Sequence, residues 1–182
     1  MKSVDFLMEE HRVIERVISV LEAGAQKIHA CETVDPKIFV DAVEFVRDFA
    51  DGCHHQKEEG VLFRYMVEAG MPESEGPIAV MFSEHSRARE YTRALAAAAE
   101  RMVAGDSQAA TAVMANARGY AALLREHIAK EDAILFPMAS QVLSGQLKER
   151  CEEDFEKIRV EETSRHQKLR ALADKLEQRM AS

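Results

Sequence analysis

Two segments of this 182-residue chain are near-copies of each other, and each places a histidine four residues before a glutamate. The pairs are His54 with Glu58 and His127 with Glu131, and a Leu-Phe pair begins four residues after each glutamate. On an α-helix, residues i and i+4 lie on the same face, one turn apart. The repeat therefore predicts two helices that each present an imidazole and a carboxylate in one direction, as a shared metal site would require.

A second repetition has the same period. The dipeptide Glu-His ends at His11 and again at His85, which lie 74 residues apart, and His54 and His127 lie 73 residues apart. Internal similarity at a fixed period usually marks a repeated structural unit. The unit is predicted to be a helical hairpin that occurs twice, with a lone histidine on its first helix and the His-x-x-x-Glu motif on its second.

The composition favours one all-helical protein. Apolar residues make up 47% of the chain, enough to bury a core, and there are only four Pro, eight Gly and no Trp. Periodicity predicts five helices, at about residues 3–30, 36–69, 77–104, 106–143 and 147–178. The first four predict an all-α, up-down-up-down four-helix bundle over residues 1–143. Residues 144–182 are predicted to form an additional C-terminal amphipathic helix that packs on the bundle or on a partner, such as a second copy in a homodimer.

Charge and hydropathy exclude several classes of partner. The net charge of −8 argues against nucleic acid and anionic membranes. No apolar run approaches the ~20 residues that cross a membrane, and the N-terminus lacks the apolar core of a signal peptide. Three widely spaced Cys without a Cys-x-x-Cys motif are typical of reduced thiols. The chain is therefore predicted to be cytoplasmic.

The helical phase predicts which side chains face the interior of the bundle. In the second helix, His54 and Glu58 share a face with Val61 and other apolar residues, whereas the face of His55 carries mainly charged residues. The same reasoning places the second motif, and the lone histidines of the first and third helices, on apolar stripes. The predicted metal ligands are therefore His11, His54, Glu58, His85, His127 and Glu131.

This set of six side chains suits two metal ions. Burying two carboxylates without a partner costs several kcal/mol each, and a metal relieves that cost. Neutral imidazole suits iron, zinc or copper, and carboxylates suit hard cations, so the mixture favours a non-haem centre of two Fe ions. A lone His on an apolar face is usually a core residue, and a lone His-x-x-x-Glu is usually a surface ion pair. The doubled pattern with matched phase favours the metal site.

Several other groups stay open to two interpretations. His55 and Glu59 are expected mostly at the surface, and whether either joins the metal shell is left open. Glu15 lies one turn after His11 and is as compatible with a salt bridge as with a spare ligand. The remaining candidates, with solvent, an interface or the core as their expected surroundings, are His29, His166, Tyr65 and Tyr120.

The order of these motifs resembles the hemerythrin-like (HHE cation-binding) domain, over about residues 3–143. The matching motifs are His11, His54-x-x-x-Glu58, His85 and His127-x-x-x-Glu131, with the Leu-Phe pairs. The resemblance implies a four-helix bundle around an oxo- or hydroxo-bridged di-iron centre. By motif position, it implies that the four histidines are terminal ligands and that Glu58 and Glu131 are the bridging carboxylates.

The chain departs from the oxygen-carrying hemerythrins at two places. Those proteins have His-x-x-x-His on the third helix, where this chain has Arg89 four residues after His85. They have His-x-x-x-x-Asp on the fourth helix, where this chain has His-x-x-x-Glu. A fifth histidine ligand is therefore expected to be missing or replaced, which disfavours reversible O2 storage.

The resemblance also implies a function. Members of the family bind O2, and some are linked to NO, iron or redox sensing. The sequence therefore predicts a non-haem di-iron protein that binds or reacts with O2, NO or peroxide, in sensing or stress defence, and it leaves open whether the protein is an enzyme. The alternatives are a helical interaction or signalling module with a structural metal, and an iron buffer.

Overall fold

Five long helices make up the computed structural model, which describes residues 1–181. Their bounds are Lys2–His29 for α1, 37–68 for α2, Gly76–Val103 for α3, 109–142 for α4 and Gly145–Ala181 for α5. No strand occurs in this part of the chain, and none of its helices is long and apolar enough to cross a membrane. The predicted all-α fold with a C-terminal helix is confirmed, and the helix ends lie within about one turn of those expected.

Helices α1 to α4 form the bundle, in which α3 packs on α4, α4 on α1, and α2 on both α1 and α3. Short connections make consecutive helices antiparallel. Two of these connections begin with glycine in the left-handed region, Gly70 (φ 101°) and Gly105 (φ 88°). After α2, the N–H of Gly70 donates to Val67 and the N–H of Met71 donates to Met66. This pair of bonds satisfies carbonyls at the end of the helix and reverses the chain.

A buried polar layer separates the apolar interior into two clusters. Leu7 belongs to the smaller cluster and Ile14 to the larger one. Glu10 and His11, both fully buried, lie between them on α1. Apolar side chains therefore close the polar layer from both directions along the bundle axis.

Helices α2 and α4 depart from α-helical geometry where they carry the repeated motif. In α2, the segments Val46–His55 and Glu58–Leu62 are π-helical, and in α4 the segment Glu131–Leu135 is π-helical. A π-helical turn hydrogen-bonds residues i and i+5, so it holds an extra residue and rotates side chains away from the α-helical phase. Such segments are frequent at functional sites.

Helix α5 lies along α1 and α2. Its buried side chains are Cys151, Phe155, Leu169, Ala173, Leu176 and Met180. Arg16 of α1 also donates hydrogen bonds to Asp174 and Glu177 of α5. The apolar stripe of α5 is therefore covered by the bundle of its own chain.

Gly24 allows a close approach between α1 and α2. A Cβ at this position would lie 2.7 Å from the ring of Phe39 and 3.2 Å from Met180. We expect Gly24→Ala to lower the free energy of unfolding by about 1–3 kcal/mol through overpacking, as measured by urea denaturation. Gly60→Ala is the control, because no atom lies within 4 Å of a Cβ there, and it should be neutral or stabilising. Wild-type stability of Gly24→Ala would contradict this packing.

Candidate metal centre

The six predicted ligands meet in the polar layer at the middle of the bundle. Each is at most 2% exposed, and four helices contribute them: His11 (α1), His54 and Glu58 (α2), His85 (α3), His127 and Glu131 (α4). The structure brings all six together, and their role as ligands stays a prediction.

Two overlapping clusters of ligand atoms occupy this layer. In the first, one atom from each of four side chains lies within 4.8 Å of the others: His11, His54, Glu58 and Glu131. His11 Nε2 lies 3.1 Å from Glu131 Oε2, and His54 Nε2 lies 3.2 Å from Glu58 Oε1. The His-x-x-x-Glu spacing thus brings the imidazole and the carboxylate of one helix together.

The second cluster consists of His55, Glu58, His85 and His127. Glu58 belongs to both clusters, because its Oε2 lies 3.5 Å from His85 Nε2 and its other oxygen faces the first cluster. Glu131 also faces both, since its Oε2 lies 3.2 Å from His127 Nε2 in addition to its contact in the first cluster. The two carboxylates therefore lie between two groups of imidazoles.

His55 was expected at the surface, and that prediction is wrong. Its side chain is buried, and its ring stacks on His85 with 3.8 Å between centroids. The expectation assumed a regular α-helix, but Val46–His55 is π-helical, so that His54 and His55 both point inward. The doublet itself was the available signal, since each histidine is followed four residues later by a glutamate. A fifth imidazole is therefore present beside the predicted ligands.

Each of these five histidines pairs its Nδ1 with a carboxylate. The pairs are His11 with Asp132 (2.7 Å), His54 with Glu10 (2.9 Å), His55 with Asp51 (3.3 Å), His85 with Glu59 (2.7 Å) and His127 with Glu84 (3.0 Å). A carboxylate accepts the Nδ1–H, so the Nε2 lone pair is left for the interior. Metal-binding histidines are commonly oriented in this way.

The positions of these carboxylates repeat, although the sequence reasoning gave none of them a role apart from leaving Glu59 open. Glu10 and Glu84 each precede a lone histidine. Glu59 and Asp132 each follow the glutamate of a His-x-x-x-Glu motif. Since each pair occupies equivalent places in the two copies, the internal repeat was the signal that would have found them.

A basic side chain balances each of these outer carboxylates. The contacts are Arg12 to Asp132, Lys130 to Glu84, Arg89 to Glu59 (2.8 Å) and to Asp51 (2.7 Å), and Lys57 to Glu10 (3.1 Å). Arg89 occupies the position where oxygen-carrying hemerythrins have a histidine. The outer layer is thus paired in charge, whereas no lysine or arginine among residues 1–181 forms an ion pair with Glu58 or Glu131.

Most of the atoms that face the middle of the centre have no hydrogen-bond partner in the described part of the chain, although Nε2 of His85 and Nε2 of His127 lie 3.1 Å apart. The atoms without a partner are Nε2 of His11, His54 and His55 and both side-chain oxygens of Glu58 and Glu131. A buried polar atom without a partner costs about 1–3 kcal/mol, and natural interiors hold few of them. Because these atoms converge on one small volume, a cation there would satisfy them together. Imidazole with carboxylate is a donor set that fits a transition metal.

The electrostatics also favour a cation between the two glutamates. Burial and the charge of Glu58 raise the pKa of Glu131 well above its usual value, so the two carboxylates do not ionise freely together. Burial opposes a charge on His54, but Glu58 and Glu10 outweigh burial and raise the pKa of His54 to about 9. A bound cation would replace the protons that these groups otherwise retain.

Three of the imidazoles are neutral at pH 7. Burial lowers the pKa of His11 and of His127. Burial, followed by the charges of neighbouring imidazoles, lowers the pKa of His55 well below its ordinary value. Neutral imidazole is the form that binds a metal, so these rings are prepared for ligation without first losing a proton.

These pKa shifts predict how the metal-free protein responds to acid. As the pH falls through the unperturbed His value of about 6.5, the unfolded chain protonates His11, His55 and His127 more readily than the folded chain, because burial lowers their pKa values in the folded chain, so stability should fall with pH. Glu131 opposes this trend, because only the folded chain retains its proton above about pH 4.5. His54 is protonated in both states. Three lowered histidine pKa values against one raised carboxyl pKa predict a net loss of stability as the pH falls.

Urea denaturation of the metal-free protein at pH 6 and at pH 5 measures this difference. Equal unfolding free energies at the two pH values would contradict the predicted net effect of the three lowered histidine pKa values.

Other residues that the sequence singled out lie outside the two clusters. Glu15 pairs with Arg12 at 3.1 Å, and His29 is exposed, as expected. Tyr65 donates its hydroxyl to a carboxylate of α5 at 2.8 Å. Tyr120 is buried in the core, as expected, but its hydroxyl has no partner within residues 1–181.

Helix α5 reaches the centre through Glu10. His166 of α5 hydrogen-bonds to Oε1 of Glu10 at 2.7 Å, while Oε2 of Glu10 accepts from His54. Lys57, only 1% exposed, lies 3.1 Å from Glu10 and 3.2 Å from Glu162 of α5. The C-terminal helix therefore helps to position a carboxylate that orients one of the predicted ligands.

Comparisons with known proteins agree with this geometry. The family model described as "Hemerythrin HHE cation binding domain" matches residues 2–139. Uncharacterized proteins of Mycobacterium bovis and Mycobacterium tuberculosis are each 26% identical over 139 residues, which covers 76% of this chain and 54% of the relative. The chain thus spans about half the length of these curated relatives. No solved structure matches.

Proposed function

Because the chain belongs to the hemerythrin HHE cation-binding domain family, we propose that it is a non-haem di-iron protein that binds or reacts with O2, NO or peroxide, in sensing or stress defence. Domains of this family bind metal cations, typically iron. The observation that carries the proposal is the convergence of unpartnered imidazole and carboxylate atoms in the middle of the bundle.

The two clusters suggest how the ligands divide between two irons. We assign His11 and His54 to one iron and place Glu58 and Glu131 between the two. The other iron would be held by His55, His85 and His127. A structural zinc site usually has four ligands, mostly thiolate and imidazole. Seven ligands that mix imidazole and carboxylate therefore support iron and a binuclear centre.

The two proposed positions differ in their number of imidazoles. When bound, iron supplies electron transfer and coordination positions for small ligands. The position with two imidazoles has fewer protein ligands, so it is where we expect a small ligand to bind. His55 supplies from α2 the fifth imidazole that oxygen-carrying hemerythrins take from the third helix. The argument against reversible O2 binding from a missing histidine therefore no longer holds.

Aromatic rings shield the centre from water. Phe136 stacks on His11 with 5.4 Å between centroids, and Phe63 stacks on His85 with 6.1 Å. Both phenylalanines belong to the Leu-Phe pairs of the repeated segments, so each copy of the repeat contributes one aromatic ring that shields a histidine of the centre. Exclusion of water strengthens the electrostatic interactions inside a site and limits side reactions of a bound ligand.

Iron content tests the ligand assignment. Protein produced with ample iron should hold two irons per chain by plasma mass spectrometry. His55→Ala should reduce this value toward one, because it removes an imidazole from one position only. His29→Ala is the matched control, since His29 is exposed and belongs to neither cluster. Full iron content in His55→Ala would show that His55 is not a ligand that the second iron requires. Saturation of the unmodified protein at one metal would contradict a binuclear centre.

Absorption spectra separate the proposal from its alternatives. The visible spectrum of the iron-loaded protein should change when azide or NO is added, and that of the reduced protein should change on exposure to O2. A purely structural metal would leave these spectra unchanged. An iron buffer would instead release its iron readily to a competing chelator.

Several broader expectations also stay predictions. They are the division into a bundle at residues 1–143 and a C-terminal helix at 144–182, a homodimer formed through that helix, and a cytoplasmic location.

A further inference from the structure

A cavity of about 340 Å³ lies between α2 and α3. It borders the candidate metal centre only through His55, and none of the other proposed ligands lines it. The cavity therefore lies beside the proposed position of His55, His85 and His127, and neither His11 nor His54, which hold the position where we expect small ligands of iron, lines it. We therefore expect the cavity to bind a molecule other than a ligand of the iron.

Much of the cavity wall is apolar. Val43, Val46 and Ala50 of α2 face Ala88 and Ala96 of α3 across it. All but Ala96 are buried. Ligand pockets are typically lined by apolar side chains with a few polar groups that fix orientation. The wall of this cavity suits the uncharged hydrocarbon part of a small molecule.

Apart from Nε2 of His55, which we assign to the metal, one buried polar group in the cavity has no partner among the described residues. Tyr120 lines it from α4, is 1% exposed, and its hydroxyl forms no hydrogen bond with any described residue. Buried hydroxyls in native proteins are nearly always paired. Thr92 also lines the cavity, but its hydroxyl already donates to the Ala88 carbonyl. The Tyr120 hydroxyl is thus the buried donor that a ligand would satisfy.

The charges at the cavity favour an anion at its rim and not beside Tyr120. Asp51 pairs with both His55 and Arg89, and its charge, after burial, helps to raise the pKa of Tyr120. A second negative charge there would be repelled. At the rim, Arg93 is exposed and has no ion-pair partner within residues 1–181. A carboxylate would therefore bind Arg93, leaving a neutral acceptor for Tyr120.

We propose that this cavity binds a short-chain oxo acid, with its carboxylate on Arg93, its hydrocarbon body against the alanine and valine wall, and its carbonyl oxygen accepting from Tyr120. The site goes beyond the proposed iron chemistry, because neither contact involves the metal. Binding can therefore be measured whether or not the iron reacts with O2, NO or peroxide.

Calorimetric titration of the metal-loaded protein tests the proposal with four probes of similar size: 4-oxopentanoate, pentanoate, pentan-2-one and pentylamine. We expect 4-oxopentanoate to bind most tightly and pentylamine most weakly. Arg93→Gln should weaken the binding of 4-oxopentanoate about tenfold and leave the affinity for pentan-2-one unchanged. Tyr120→Phe should weaken the binding of 4-oxopentanoate by a similar factor and leave the affinity for pentanoate unchanged. The chain has three Tyr and no Trp, so an ultraviolet difference spectrum should also report the ligand at Tyr120.

Matched controls separate the loss of a specific ligand contact from general effects on charge and stability. Arg87→Gln removes an exposed charge from the same helix, but Arg87 does not line the cavity, so this variant should bind like the unmodified protein. Tyr120→Phe should keep its melting temperature and iron content, because the hydroxyl it removes has no partner in the protein. The proposal is overturned if pentylamine binds as tightly as 4-oxopentanoate, if Arg87→Gln matches Arg93→Gln, or if no probe binds.

Discussion

The structure depends on keeping two carboxylates, Glu58 and Glu131, in an interior where no lysine or arginine of residues 1–181 pairs with them. Isolated buried carboxylates are unstable unless they take up a proton or a cation. The pKa of Glu131 shows this conflict directly, because burial and the charge of Glu58 raise it. The five imidazoles turn their Nε2 atoms toward the same volume, where a bound cation would satisfy imidazole and carboxylate atoms together.

The imidazoles keep this orientation because each is held by a carboxylate, and four of these contacts link the four helices in a cycle. The Nδ1 contacts of His11, His127, His85 and His54 run from α1 to α4, from α4 to α3, from α3 to α2 and from α2 to α1. Each contact therefore joins two helices as well as orienting one ring. Loss of an outer carboxylate would loosen both a predicted ligand and a helix contact, so the bundle and the centre stabilise each other.

Helix α5 contacts the carboxylates that orient the histidines at one residue, Glu10. Glu10 accepts from His54 of the centre and from His166 of α5, and the buried Lys57 joins Glu10 to Glu162 of α5. The other outer carboxylates are balanced within the four-helix bundle, by Arg12, Arg89 and Lys130. The C-terminal helix is thus connected to one side of the candidate centre, the side on which His11 and His54 lie.

The sequence by itself determined the helices, the inward direction of six side chains and the family. Spacing of i and i+4 and the apolar phase are properties of one helix, and the 73- to 74-residue repeat made them hard to mistake. Only the tertiary structure decided that His55 turns inward, since a π-helical backbone shifts the phase that the prediction assumed. It also decided that Glu10 and Asp132 orient histidines on other helices, because contacts between helices depend on their relative rotation, which no spacing within one helix specifies.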